Sequence, residues 1–311
     1  MILRVENLSV AYDHPLGKVR AVDDVSFSLD PGERFGLVGE SGSGKSTMAL
    51  AILRLIQPPG RIEGGTVRLG EQSLSDLGDD AMRATRLAAI ALVPQGSMNS
   101  LNPVMRIGEQ IADAMRDHGV ARSASHNDDL LRRVGLPPGT ARKFPHELSG
   151  GMKQRACIAI AISLRPKVII ADEPTSALDV VVQRQVMETL AAVQTELGSA
   201  VILVGHDMGL MAQFVDRLGV MYAGRLIETA PIRDIVTAPR HPYTQALIAS
   251  LPSLDRRGPL VCIAGLAPLL RDLPSGCAFH PRCPKATDRC RSEKPAVRAV
   301  SRDAHVACHH A

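Results

Sequence analysis

Apolar and polar side chains alternate from Ile2 to Tyr12 and again from Val19 to Leu29, with Asp-His-Pro and Asp-Pro-Gly following as turns. That period of two belongs to half-buried strands, so the pair predicts an antiparallel edge. Arg34 to Gly39 is a short apolar run entering a glycine loop, and Thr47 to Ile56 then shows helical spacing, which starts a βα unit. Ile90 to Pro94 predicts another buried strand. Helical patterns follow at Ile107 to Met115, Leu130 to Val134 and Gln154 to Ser163, broken by Gly-Leu-Pro-Pro-Gly and Phe-Pro-His-Glu, and predict a helical insert. Strands return at Val168 to Ala171 and Ala200 to Gly205, separated by the amphipathic run Val180 to Leu197. Such alternation of strand and helix implies a parallel sheet. Beyond about Pro239 the residues shift toward Pro, Arg and Cys, with Arg240 to Tyr243 as the hinge into a small C-terminal unit.

The chain has 311 residues, 45% of them hydrophobic, enough for one large domain and an appendage. With no Trp, three Tyr and five Phe, its core must be built from aliphatic residues and Met, which disfavours an aromatic-rich binding module. The net charge of +4 is small and dispersed, so no nucleic-acid partner is expected. No run reaches the roughly 18 apolar residues of a membrane span, and the first ten residues lack the layout of a secretion signal, so a cytoplasmic location is expected. Six cysteines lie at Cys157, Cys262, Cys277, Cys283, Cys290 and Cys308. In a reducing compartment, their crowding toward the C-terminus points to a metal or cluster rather than to disulfides.

Gly39 to Ser46 matches G-x-x-x-x-G-K-S/T between a predicted strand and a predicted helix, the setting that pattern needs. Gly39, Ser41, Gly42 and Gly44 let backbone N–H groups turn inward around phosphates, and Thr47 continues the loop into the helix. Lys45 reaches the β- and γ-phosphates, Ser46 ligates Mg2+, and the helix aims its positive end at the anion. Val168 to Glu173 is an apolar strand ending in two carboxylates. Asp172 is placed to hold the Mg2+ shell and Glu173 to polarise an attacking water. A strand that merely ends in solvated acids is common, but it does not account for a phosphate loop upstream.

Leu148 to Arg155 resembles the signature sequence of ABC ATPases. The resemblance implies an α/β fold: a RecA-like P-loop ATPase core with an antiparallel β edge, a helical insert and a small Cys-containing C-terminal unit. The implied division is residues 1–94 and 166–239 for the core, 95–165 for the helical signature subdomain and 240–311 for the extension. In that family Ser149, Gly150 and Gly151 bind the ATP held by a second subunit, by helix-dipole and backbone N–H chemistry supplied in trans. Gln95 resembles the glutamine that touches Mg2+ and senses the membrane partner. Ser176 to Asp179 resembles the loop that crosses between subunits, His206 the γ-phosphate histidine, and Tyr12 the aromatic that stacks on adenine.

Three further stretches, Ser100 to Pro103, Arg240 to Leu247 and Gly276 to Pro284, resemble the oligopeptide, dipeptide and nickel importer branch. That branch usually carries AspPro after the loop glutamine, whereas Gly96 and Ser97 follow Gln95 here. The departure bears on how the loop meets a membrane subunit, not on ATP chemistry. The resemblance implies a second, related ATPase chain, two integral membrane subunits, an external substrate-binding protein and a place at the cytoplasmic face of the membrane. Cys277, Cys283, Cys290 and Cys308 lack paired C-x-x-C spacing, yet four thiolates could hold a 4Fe–4S cluster, as the resemblance implies for some members. Zinc and free thiols are the alternatives. A nickel importer is the nearest rival reading. A non-transport ABC ATPase of DNA repair or translation is another, although neither a long coiled-coil insert nor a second ATPase domain is visible.

Overall fold

The computed structural model of the chain describes residues 1–96, 100–120, 124–251 and 263–311, so Ser97 and Cys262 lie outside the described residues. It divides into two compact units. The first comprises Met1–Leu3, Leu29–Glu33 and Gln72–Val204, and the second Arg4–Ser28, Arg34–Glu71 and Gly205–Ala311.

In the first unit the strands Ile90–Val93, Val168–Asp172 and Ala200–Val204 pair in parallel, with Ile90 opposite Val168 and Val168 opposite Ala200. Every residue of the latter two strands is buried. A parallel strand covered on both faces has no polar side to show, which is why these segments read as unbroken apolar runs. Helices Ile107–Arg116, Ala124–Arg133 and Gly150–Ile162 occupy the span where interrupted helical patterns predict an insert. The helix Val180–Leu197 has the predicted bounds. Its buried Val186, Met187, Leu190 and Val193 recur at helical spacing, and Gly198, at φ 66°, ends it in the left-handed conformation. Gln194 donates through Nε2 to the carbonyls of Gly32 and Ser199, so the turn after the helix is internally bonded.

The second unit carries the expected antiparallel edge: Leu3–His14 and Gly17–Leu29 are neighbours joined by the turn at Pro15 and Leu16, and Gly60–Leu69 flanks Leu3–His14. Its other sheet sets Arg34–Val38 parallel to Arg217–Tyr222, with Phe35 opposite Arg217. Arg225–Pro231 then returns antiparallel, with a bulge between Leu226 and Glu228. Two-residue strands, His305–Val306 and Arg298–Ala299, extend this sheet antiparallel. The helix after the glycine loop is Lys45–Ile52, shorter than the predicted pattern, because Arg54 turns left-handed at φ 51° and stops it. The few aromatics are concentrated: Phe27 stacks on Phe35 at 5.0 Å, and Tyr222, Tyr243 and Phe279 meet at 4.7 to 5.5 Å. No helix among the described residues is long and apolar enough to cross a membrane.

Candidate functional site

In the second unit, the fully buried end of Arg34–Val38 delivers the chain into the glycine loop, and the helix Lys45–Ile52 leaves it. Gly44 caps that helix at φ 98°, and a Cβ there would stand 2.1 Å from the carbonyl oxygen of Ala21. Both the conformation and the close approach demand glycine. The buried Lys45 ammonium donates to the carbonyls of Gly39 at 2.8 Å and Glu40 at 3.0 Å and to Ser43 Oγ at 3.4 Å, so the loop is wrapped around one cation. Ser41 and Gly42 are exposed, and Ser46 and Thr47 half-buried, at the helix N-terminus. That is the arrangement of backbone donors, dipole and ammonium that receives phosphate oxygens. His206 is exposed, directly after Gly205, whose N–H donates to Leu37 O at 3.0 Å. Tyr12 is half-buried in Leu3–His14, and its ring covers Gly60, where a Cβ would stand 2.5 Å from Tyr12 Cε1.

In the first unit, Asp172 ends the strand Val168–Asp172 as a buried carboxylate. Glu173 follows in the left-handed region at φ 44°, with its N–H donating to Val204 O at 2.9 Å. A non-glycine residue held there costs of order 1–3 kcal/mol, a strain common where a side chain must be aimed. The aimed carboxylate accepts at 2.8 Å from Nε2 of Gln95, so two predicted site residues lying far apart in sequence are brought together. Ser149 caps the helix Gly150–Ile162, its side chain accepting from Met152 N–H at 3.4 Å. Gly151 is buried in its first turn against Val182. Asp179 caps Val180–Leu197, accepting from Val182 N–H at 3.0 Å, and leaves Val180 and Val181 exposed.

Residues 22–176 match the family described as ABC transporter, and residues 227–290 match the oligopeptide/dipeptide transporter C-terminal region. A dipeptide transport ATP-binding protein of Escherichia coli is 42% identical over 315 residues, covering 99% of this chain and 96% of that protein. This chain belongs to the ABC transporter ATPases. A putative peptide import ATP-binding protein of Brucella abortus is 46% identical to this ABC ATPase over 300 residues, covering 94% of the chain and 90% of that protein. A solved dimeric ATP-binding cassette in a post-hydrolysis state, bound to ADP and Pi, is similar at TM-score 0.66 and 28% identity, covering 74% of this chain and 99% of that one. The fold is thus the ABC ATPase fold, and the chain is an ATPase.

The C-terminal cysteines of this ABC ATPase share the second unit. Burial, followed by the charge of neighbouring cysteines, raises the Cys277 and Cys283 thiols above the ordinary range. Cys290 Sγ lies 3.3 Å from His310 Nε2 and 3.4 Å from Thr287 Oγ1. Among the described residues no three His, Cys, Asp or Glu side chains are gathered into a group that could hold a metal ion, and the expected cluster finds no support there. Cys157 is ordinary core, its thiol pushed up to about 12 by burial.

Two features of this ABC ATPase were not read from its sequence. Glu228, buried, accepts from the N–H groups of Arg240 at 2.7 Å and His241 at 2.9 Å, so the hinge is pinned by a carboxylate from the sheet. Glu40, inside the glycine loop, is held by Arg282. Glu40 is visible in the sequence as an acid inside the glycine pattern, whereas the bulge beside Glu228 shows only in the strand register.

Proposed function

We propose that this ABC ATPase energises a peptide importer. The observation that carries the reading is the match of residues 227–290 to the oligopeptide/dipeptide transporter C-terminal region in a chain 42% identical, almost end to end, to a dipeptide transport ATP-binding protein. In this reading the core is 1–94 and 166–239, the part that pushes on membrane subunits is 95–165, and 240–311 is an appended regulatory or stapling unit.

The backbone of Gly39 to Thr47 and the Lys45 ammonium bind the triphosphate. Tyr12 stacks on the adenine. Ser149, Gly150 and Gly151, with Asp179 beside them, close over the nucleotide of a second ATPase chain. Dimeric cassettes among similar structures support a second chain, and a related, non-identical one is proposed here. Glu173 takes the proton of the attacking water, Gln95 orients that carboxylate and senses the membrane subunits, and His206 meets the γ-phosphate. Ser46, Asp172 and Gln95 would offer a hydroxyl, a buried carboxylate and an amide, donor types that suit Mg2+, an ion that keeps its waters and uses few protein carboxylates. Bound Mg2+ would neutralise charge developing on the phosphate oxygens. Closure and reopening of the paired ATPases would drive two integral membrane subunits, loaded by an external binding protein, from the cytoplasmic face of the membrane.

The finer reading gives Cys277, Cys283, Cys290 and Cys308 a 4Fe–4S cluster, on the ground that all four lie in one unit, three of them inside the stretch that matches the transporter C-terminal region. Anaerobic purification followed by iron and sulfide analysis tests it, and a chain free of both removes the cluster. The transport reading is tested by affinity purification from detergent-solubilised membranes. It expects two integral membrane proteins and a second ATPase, with turnover stimulated by a peptide-loaded binding protein. Recovery without membrane subunits overturns it.

A further inference from the structure

An acidic residue inside a phosphate loop is electrostatically anomalous, because its charge opposes that of the ligand. Glu40 follows Gly39 in that loop, and the structure shows where its charge goes. Arg282, on the short turn His280–Arg282, places Nη1 2.7 Å from Glu40 Oε2 and Nη2 2.9 Å from Oε1, a two-pronged pairing with the arginine side chain only 6% exposed. The rest of the guanidinium is fixed as well: Nη1 also donates to the Tyr222 hydroxyl at 3.2 Å, and Nε to Ala264 O at 2.8 Å. The Glu40 N–H donates to the hydroxyl of the buried Tyr243 at 3.0 Å, and its carbonyl accepts from Lys45. Side chain, amide and carbonyl of this one residue are all engaged. Of the partners, Tyr243 belongs to the hinge, Arg282 lies beyond it, and the third is the phosphate-binding lysine.

We infer that Arg282 is a positioning residue of the ATP site, cancelling the Glu40 charge and fixing the phosphate loop from the C-terminal segment. The inference rests on the reading that Gly39 to Thr47 holds the triphosphate. Removing the guanidinium leaves an unpaired carboxylate beside an anion and a loop free to turn. Removing the Glu40 charge as well leaves nothing to cancel. Because Arg282 sits between Cys277 and Cys283, the conformation of the cysteine-bearing stretch sets where the guanidinium stands, which makes nucleotide affinity answerable to that stretch.

The test is titration of the full chain with a fluorescent ATP analogue in Mg2+, with circular dichroism and melting followed on each variant. Arg282→Ala is expected to weaken binding about tenfold, equivalent to about 1.4 kcal/mol. Glu40→Gln is expected to weaken it only about two- to threefold, and Arg282→Ala placed on Glu40→Gln to add less than about twofold more, since the charge being cancelled is gone. Arg282→Lys, which keeps the charge and loses the fork, should fall between wild type and Arg282→Ala, and it keeps the test open if Arg282→Ala does not fold. Lys45→Ala separates the two readings. If Lys45→Ala binds as wild type, the loop assignment falls and this inference with it. If Lys45→Ala loses binding while Arg282→Ala lowers only the melting temperature, or costs the same tenfold with and without Glu40, Arg282 is a structural staple and the inference alone is overturned.

Discussion

Gly151→Ala is the substitution whose outcome the packing specifies most closely. A Cβ at this helical glycine would stand 2.2 Å from Val182 Cγ1, against the 3.5–4.0 Å of an ordinary carbon contact, so about 1.3 Å must be found by moving a helix or turning a stiff valine. Overpacking of this kind costs about 1–3 kcal/mol, while alanine returns up to about 1 kcal/mol of helix propensity, so a net loss of about 1–2 kcal/mol is expected. In a Val182→Ala background the obstructing methyl is gone, and the same change should be neutral or slightly stabilising. The coupling between the two sites is therefore about 2 kcal/mol, and urea denaturation of the four chains measures it. Equal effects of Gly151→Ala in both backgrounds would refute the packing argument. ATP turnover of the double variant, assembled with its partners, adds a second reading: restored stability with turnover still low would show that the glycine backbone also approaches a nucleotide.

Two further predictions concern the hinge. His241 is 1% exposed, and burial lowers its pKa to about 3 while its Nδ1 accepts from Tyr243 N–H. The unfolded chain takes up this proton below about pH 6.5 and the folded chain does not, so the stability is present above that value and is lost as the pH falls toward 3. Between about pH 7 and pH 5 this group alone should remove about 2 kcal/mol. His241→Asn, which retains a capping acceptor without titrating, should flatten that stretch of the stability profile, and an unchanged slope would count against burial as its cause. Glu228→Ala strips a part-buried and a buried hinge amide of their acceptor and should cost about 2–3 kcal/mol with faster proteolysis near Arg240; a loss below about 0.5 kcal/mol would show that water replaces the carboxylate.

What the sequence made legible is what local chemistry dictates. The strands Val168–Asp172 and Ala200–Val204 are unbroken apolar runs because both faces are covered, and the helix from Val180 to Leu197 is marked at one end by the Asp179 cap and at the other by Gly198. The glycine loop Gly39 to Ser46 is legible because few residue types tolerate its backbone. Gly60–Leu69 was missed because most of its side chains face solvent, so no alternation betrays it. The two-residue strands Arg298–Ala299 and His305–Val306 are too short to show any period. The Arg282–Glu40 and Glu228 contacts join residues whose separation in sequence carries no pattern, and neither a fork nor a buried carboxylate announces its partner. The Gln95–Glu173 hydrogen bond joins two candidate residues that the sequence marks by separate motifs.

In the proposed function Glu173 supplies the base for hydrolysis while other residues bind the nucleotide. The most direct measurement is ATP turnover of the assembled complex carrying Glu173→Gln in this chain and a base-deficient partner, alongside nucleotide affinity. Turnover should fall about hundredfold or more while ATP is bound as tightly as by wild type. Turnover at the wild-type rate, or a loss explained entirely by weaker binding, would contradict it.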